Sequence, residues 1–162
     1  MVSVMTSSTG VKWDRLSFAS TLYLCPIIDT LLEHAPLEMH DELRLGLQEA
    51  LVNAAKHGNS LDPGKQISVQ YASTRGTYWW IITDQGQGFD VPRACGVCPE
   101  ADDGDATHDC GRGLFILHQI FDQVHWSSEG NEVRLCKRFK RWPNLLKRLQ
   151  GAWLTTNIMA VG

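Results

Sequence analysis

Five stretches of the chain have the apolar–polar alternation or the compact apolar character of β-strands. They cover residues 12–20, 66–73, 77–83, 123–127 and 132–139. Arg75-Gly76 joins the second stretch to the third, and Glu129-Gly130-Asn131 joins the fourth to the fifth. Because short connections that contain glycine join antiparallel neighbours, the pattern predicts two β-hairpins.

Apolar residues at helical spacing lie between these strands. They predict helices at about 21–34, with Thr21 as the N-cap, at 38–57 and at 113–121. The apolar stripe of the second helix consists of Leu43, Leu47, Ala50 and Ala54. Gly58 and Asn59 follow this helix, and both residue types tolerate the left-handed backbone that often ends a helix.

The order of elements is that of an α+β chain. It predicts a two-layer sandwich in which helices cover one face of a mixed, mainly antiparallel sheet. We expect a flexible N-terminus at 1–11 and one domain at 12–140. Residues 141–162 are predicted to form an amphipathic helix and tail, basic on one side and rich in Trp and Leu on the other. Such a helix packs on its own domain, lies at a dimer contact, or binds an anionic membrane or an acidic partner.

The helix at 38–57 also carries a polar row. Glu49, Asn53 and His57 are spaced by four residues, so they share one side of the helix, at the border of its apolar stripe. A carboxylate and an amide at this spacing can bind Mg²⁺ directly or through a water, and the carboxylate can act as a general base. The alternative is an exposed helix face without a catalytic role.

Two glycine-rich segments follow. Asp84 ends an apolar strand and leads into Gly86 and Gly88, where an acid can accept a hydrogen bond from an exocyclic amine such as that of adenine. The segment 111–114 opens a predicted helix, and the free amides of a helix N-terminus attract phosphate. An ordinary turn and an ordinary loop-to-helix junction are the alternatives.

Composition and charge narrow the function classes. The chain is 43% hydrophobic and 20% charged, as in soluble globular domains, and its net charge of −3 argues against bulk nucleic-acid binding. We see neither a signal peptide nor an apolar run long enough to span a membrane, so a cytoplasmic protein with reduced cysteines is expected.

The three segments occur in the order of the N box, first glycine box and second glycine box of the GHKL ATPase superfamily, which the chain resembles over about 12–140. The boxes correspond to residues 49–59, 84–88 and 111–114. Since the first of them ends in His57-Gly58, the chain looks most like the branch of anti-sigma factors and serine-protein kinases.

The resemblance implies a kinase that uses ATP and Mg²⁺. Asn53 would hold Mg²⁺, Glu49 would be the base that activates a serine hydroxyl, and Asp84 would contact adenine. The other implied nucleotide-binding residues are His57, Gly86, Gly88, Gly111, Arg112, Gly113 and Leu114, beneath a mobile lid at about 90–110. The implied partners are an antagonist with a STAS domain and a sigma factor or similar regulator, bound by a kinase homodimer.

The expected lid supports two further hypotheses. Cys95, Cys98, His108 and Cys110 have a spacing that can bind Zn²⁺, and the first two can instead form a reversible disulfide. The alternative is a loop whose thiols have neither role. From 94 to 111 there are five acidic residues and no Lys or Arg, which is unusual beside a triphosphate. The alternative function is therefore a nucleotide-dependent protein-binding module without efficient phosphotransfer.

Overall fold

The computed structural model describes residues 3–6, 11–88 and 109–139, with side chains at 11–88 and 113–139. The strands within these ranges are β1 (Ser3–Thr6), β2 (Lys12–Ala19), β3 (Gln66–Thr74), β4 (Thr77–Thr83), β5 (Gln123–Trp126) and β6 (Glu132–Arg138). They form one sheet in the order β1-β2-β3-β4-β6-β5, and every neighbouring pair is antiparallel. Both predicted hairpins are present.

The helices of the described residues are α1 (Cys25–Leu32), α2 (His40–Val52) and α3 (Asp109–Ile120). A 3₁₀ turn, Leu37–Met39, leads into α2, and a π-helical turn, Asn53–Gly58, extends it. These helices and one face of the sheet share a single apolar core, which confirms the predicted α+β sandwich. Its fully buried members include Ile28, Leu32, Leu43, Leu47, Leu51, Ile67, Val69, Trp80, Ile82, Leu117 and Leu135.

The start of α1, the start of α3 and the N-terminal residues show the clearest differences from the sequence-based expectations. Thr21 does not cap α1, because its Oγ1 accepts a hydrogen bond from the backbone N–H of Tyr23 (3.0 Å), and the helix begins only at Cys25. α3 begins at Asp109, four residues before the predicted start at Gly113. In addition, β1 lies within the segment expected to be a flexible N-terminus, and it pairs with β2.

Close packing positions α3 against α2. A Cβ atom added at Gly46 of α2 would lie 2.6 Å from the ring of Phe121, which follows α3, so the two helices touch at this glycine. Lys137 of β6 is also involved, since its Nζ donates to the carbonyl of Ile120 (2.6 Å) and pairs with Glu42 of α2 (3.1 Å). These contacts hold the start of α2 beside the end of α3.

Candidate functional site

The polar row predicted on the second helix lies at the end of α2 and in the π-helical turn. Glu49 and Asn53 are half-buried, whereas His57 is exposed. The turn has the wider hydrogen bonding of a π-helix, since Ala54 accepts from the N–H of Asn59, five residues later (2.8 Å). π-Helical turns often occur at functional sites.

The backbone bend that follows was predicted at the wrong residues. Positive φ angles occur at Ser60 (55°) and Leu61 (57°), while Asn59 has a φ of −82°. Gly58 serves a different purpose, because a Cβ atom there would lie 2.5 Å from both carboxylate oxygens of Asp84. Glycine is needed at this position for close approach to the acid.

Asp84 directly follows β4, and hydrogen bonds hold both its side chain and its backbone. Its Oδ1 accepts the backbone N–H of Gly86 (2.8 Å), and its own N–H donates to the carbonyl of Asn131 (3.0 Å). Burial raises the pKa of the Asp84 carboxyl, while the hydrogen bond from Gly86 and the charge of Lys65 act in the opposite direction. Because Oδ1 already accepts this hydrogen bond, Oδ2 is the oxygen better placed to accept one from a ligand.

The two glycines after Asp84 make different contacts. A Cβ atom at Gly86 would collide with the carbonyl oxygen of Gly58, so the first glycine box lies directly against the end of the N box. Gly88 has a positive φ of 74° and packs against the carbonyl of Glu129 in the β5–β6 turn. Gly86 thus joins the two boxes, whereas Gly88 anchors the loop to the neighbouring hairpin.

The second glycine box reaches the same place from α3. A Cβ atom at Gly113 would lie 3.2 Å from Oε2 of Glu49 and 3.4 Å from Nδ2 of Asn53. Gly113 is buried and Leu114 is half-buried. Because α3 starts at Asp109, the free amides of its first turn include those of residues 109–111, and thus that of Gly111, but not that of Gly113.

The site contains one residue whose importance the sequence analysis missed. Asn59 is fully buried, and its side chain bonds to two other segments of the chain. Its Nδ2 donates to the carbonyl of Gln66 (3.1 Å), and its Oδ1 accepts the N–H of Gln85 (2.8 Å). The signal in the sequence was an asparagine directly after His57-Gly58, which we interpreted as a helix end.

The arrangement fits a magnesium nucleotide on chemical grounds. The amide oxygen of Asn53 is a ligand type that Mg²⁺ accepts, and the carboxylate of Glu49 lies on the same side of α2. The lack of a side chain at Gly113 lets α3 lie directly against both residues. The half-buried carboxyl of Asp84, one oxygen of which already accepts a hydrogen bond from Gly86, offers its second oxygen to an amine.

The side chains proposed as zinc ligands lie outside the part of the chain that the structure describes. Cys95, Cys98 and His108 are not among the described residues, and the side chain of Cys110 is not described either. Within the described residues, no group of three or more His, Cys, Asp or Glu side chains is arranged to hold a metal ion. The structure gives no support to a zinc site.

Two other observations concern the rest of the described chain. A cavity of about 250 Å³ lies near the start of β4, lined by Asp14, Tyr71 and Tyr78 among others, but by no residue of the three boxes. None of the helices in the described ranges is long and apolar enough to cross a membrane.

Comparison with known proteins identifies the family to which the chain is similar. Residues 26–137 match the family described as "Histidine kinase-like ATPase domain". The chain is 26% identical over 87 residues to the serine-protein kinase RsbW of Bacillus licheniformis, covering 52% of this chain and 54% of the relative. It is 25% identical over 104 residues to the serine-protein kinase RsbW of Listeria monocytogenes, covering 62% and 66%. The chain thus matches between about half and two thirds of the length of these curated relatives.

Proposed function

Because this chain belongs to the histidine kinase-like ATPase domain family, we propose that it binds Mg-ATP and acts as a serine/threonine protein kinase of the anti-sigma type. The sequences that support the second part are those of two serine-protein kinases. The proposal also includes a cytoplasmic homodimer that binds a sigma factor or similar regulator and phosphorylates a STAS-domain antagonist.

One observation carries the proposal. Gly113 of α3 lies against Glu49 and Asn53 of the N box, and Gly58 at the other end of the N box lies against Asp84. Three segments that are far apart in the sequence therefore converge along one helix end. A nucleotide placed here would have its base near Asp84 and its phosphates near Asn53 and Gly113.

We assign the proposed roles to the residues of the three boxes as follows. Oδ2 of the Asp84 carboxylate accepts a hydrogen bond from the exocyclic amine of adenine, since Oδ1 already accepts one from the N–H of Gly86. The amide of Asn53 holds Mg²⁺, which neutralises phosphate charge when bound. Glu49 lies near the same point and takes the proton of the acceptor serine. We assign Gly111, Arg112, Gly113 and Leu114 to the phosphates and His57 to the exposed edge of the site.

Phosphotransfer tests the assignment of Glu49. We expect a Glu49→Gln variant to bind Mg-ATP as the wild type does, because the amide keeps the size of the carboxyl group. Transfer of ³²P from ATP to a serine of a STAS-domain protein should fall by about 100-fold or more, since a general base typically contributes that much. Nucleotide affinity and label incorporation are measured on the same preparations.

A matched control separates the role of Glu49 from a change in net charge. Glu38 lies in the 3₁₀ turn and is exposed, so Glu38→Gln should leave transfer unchanged. Wild-type transfer by Glu49→Gln would contradict the role of Glu49 as the base. Binding of ATP by the wild type without any labelling would favour the alternative, a protein-binding module that depends on nucleotide but does not transfer phosphate.

A further inference from the structure

We propose that Asn59 is the positioning residue for base recognition: it fixes the loop that presents Asp84 to adenine. This inference rests on the proposed function and deepens it. The distinctive observation is the fully buried amide side chain of Asn59, which bonds to backbone groups of both Gln66 and Gln85. Asn59 thereby connects the end of the N box to the first glycine box.

Four hydrogen bonds hold Asn59 in place, two through its backbone and two through its side chain. Its backbone N–H donates to Ala54 (2.8 Å), and its carbonyl accepts from Asp62 (3.1 Å). Its side chain donates to the carbonyl of Gln66 at the start of β3 (3.1 Å) and accepts the N–H of Gln85 (2.8 Å). A buried amide held in this way has one accessible orientation.

The Gln85 side chain strengthens the same connection. Its Oε1 accepts the N–H of Gln66 (2.7 Å), so Gln66 is bound through both its backbone groups. The three residues Asn59, Gln66 and Gln85 form a closed set of hydrogen bonds, which we call the Asn59 clasp. The clasp joins the end of the π-helical turn, the first residue of β3 and the residue after Asp84.

The Asn59 clasp sets the position of the Asp84 carboxylate through the backbone that follows Asp84. The N–H of Gln85 belongs to the peptide unit that begins at the carbonyl of Asp84, so holding this N–H sets the direction of the chain after Asp84. The next N–H, that of Gly86, donates to Oδ1 of Asp84. On the other side, Gly58, which precedes Asn59, touches the same carboxylate. The position of Oδ2 toward a ligand thus depends on Asn59.

Only an amide of this length satisfies both partners. The clasp needs a donor facing the carbonyl of Gln66 and an acceptor facing the N–H of Gln85. An ionised aspartate has no N–H to donate, so its carboxylate would lie against the carbonyl oxygen of Gln66. A serine side chain is too short to reach both Gln66 and Gln85. Loss of one bond would leave a buried backbone group unpaired and free the loop at Gln85.

The test measures recognition of the exocyclic amine alone. The probes are ATP and purine riboside 5′-triphosphate, which lacks that amine and keeps the sugar and phosphates. We expect the wild type to bind ATP about 10-fold or more tightly than the analogue, as for a hydrogen bond to a charged group. In Asn59→Ser this ratio should fall to about 3-fold or less. Ile28→Val, which weakens the core in α1, should keep the wild-type ratio.

The outcomes distinguish the inference from the proposed function. A wild-type ratio in a folded Asn59→Ser variant would show that Asn59 is merely structural and would overturn the inference. ATP binding by the wild type without any preference over the analogue would overturn it too, and would leave nucleotide binding intact. Absence of nucleotide binding by the folded wild type would overturn the proposed function itself.

A measurement on the wild type keeps the inference testable if the variant does not fold. The amide hydrogen of Gln85 is bonded to a fully buried side chain, so we expect it to exchange slowly with solvent in the nucleotide-free protein. Exchange of this amide as fast as that of an exposed loop would overturn the clasp.

Discussion

At the scale of single residues, Asp84 has surroundings that prepare it for a polar ligand. Gly58 packs against its carboxyl group, Gly86 donates to one oxygen, and Asn131 holds its backbone. Burial dominates the electrostatics and raises the pKa of the Asp84 carboxyl. The ionised form is therefore less stable here than in water, and an amine donor would compensate for this cost.

The raised pKa predicts how stability depends on pH. The folded chain holds the proton of Asp84 more tightly than the unfolded chain does. Protonation of Asp84 therefore stabilises the fold, fully so at pH values below the pKa of Asp84 in the unfolded chain. This contribution is lost as the pH rises through the higher pKa of Asp84 in the folded chain. Asp84→Asn cannot titrate and keeps the hydrogen bond from Gly86. The free energy of unfolding of this variant, relative to wild type, should therefore rise with pH and then level off.

Urea denaturation of both proteins across the acid range, about pH 3 to 7, measures this difference. Asp41→Asn is the control, since Asp41 is exposed on α2 and the substitution makes the same change in charge. A constant difference between Asp84→Asn and wild type at every pH would contradict a raised pKa at Asp84.

At the scale of elements, the contact between α2 and α3 determines the space in front of the polar row. Gly46 and Gly113 both lie in this contact, but they face different groups. A side chain at Gly46 would meet the ring of Phe121, whereas a side chain at Gly113 would meet Glu49 and Asn53. The same substitution at the two glycines should thus have opposite consequences.

We predict that Gly113→Ala preserves stability and weakens the site. Alanine favours a helix over glycine by up to about 1 kcal/mol, so the melting temperature should stay the same or rise. Its Cβ would lie 3.2 Å from Oε2 of Glu49 and displace the polar side chains by a few tenths of an ångström. We expect phosphotransfer to fall by about 10-fold, because small misplacements at a reacting centre are costly.

Gly46→Ala is the matched control. Its Cβ would overlap the Phe121 ring, so we expect a loss of stability of about 1–3 kcal/mol with little change in transfer per folded molecule. Melting curves and single-turnover transfer distinguish the two variants. Full activity of Gly113→Ala would be incompatible with phosphate binding in front of Glu49 and Asn53.

The elements that the sequence predicted best are those with strong local patterns. β4, for example, has the predicted bounds, and β3 and β6 differ by one residue at one end. Apolar residues at alternate positions of β3 and β4, such as Val69 and Ile82, are buried, whereas Ile81 on the other face is half-buried. Local patterns suffice here because each strand has one buried face.

Helix ends were harder to predict because tertiary bonds decide them. The wide turn after Val52 and the positive φ angles at Ser60 and Leu61 accompany the burial of Asn59, whose partners lie in β3 and after β4. No local pattern contains those partners. The same reasoning explains why the sequence suggested three boxes but not the contacts that join them.

At the scale of the whole molecule, the sheet and helices bring three separate segments to one end of α2. The family match covers residues 26–137, which include all three, and it confirms the predicted superfamily and fold. The roles of individual site residues stay predictions. If the cleft binds Mg-ATP, the ligand stabilises the folded chain by an amount that grows with its concentration.

Isothermal titration calorimetry with Mg-ATP tests this central claim most directly. We predict saturable binding of one nucleotide per chain by the wild type, and binding at least about 10-fold weaker by Asp84→Ala, which loses the acceptor for adenine. Absence of binding by folded wild-type protein at millimolar Mg-ATP would contradict the assignment of the cleft.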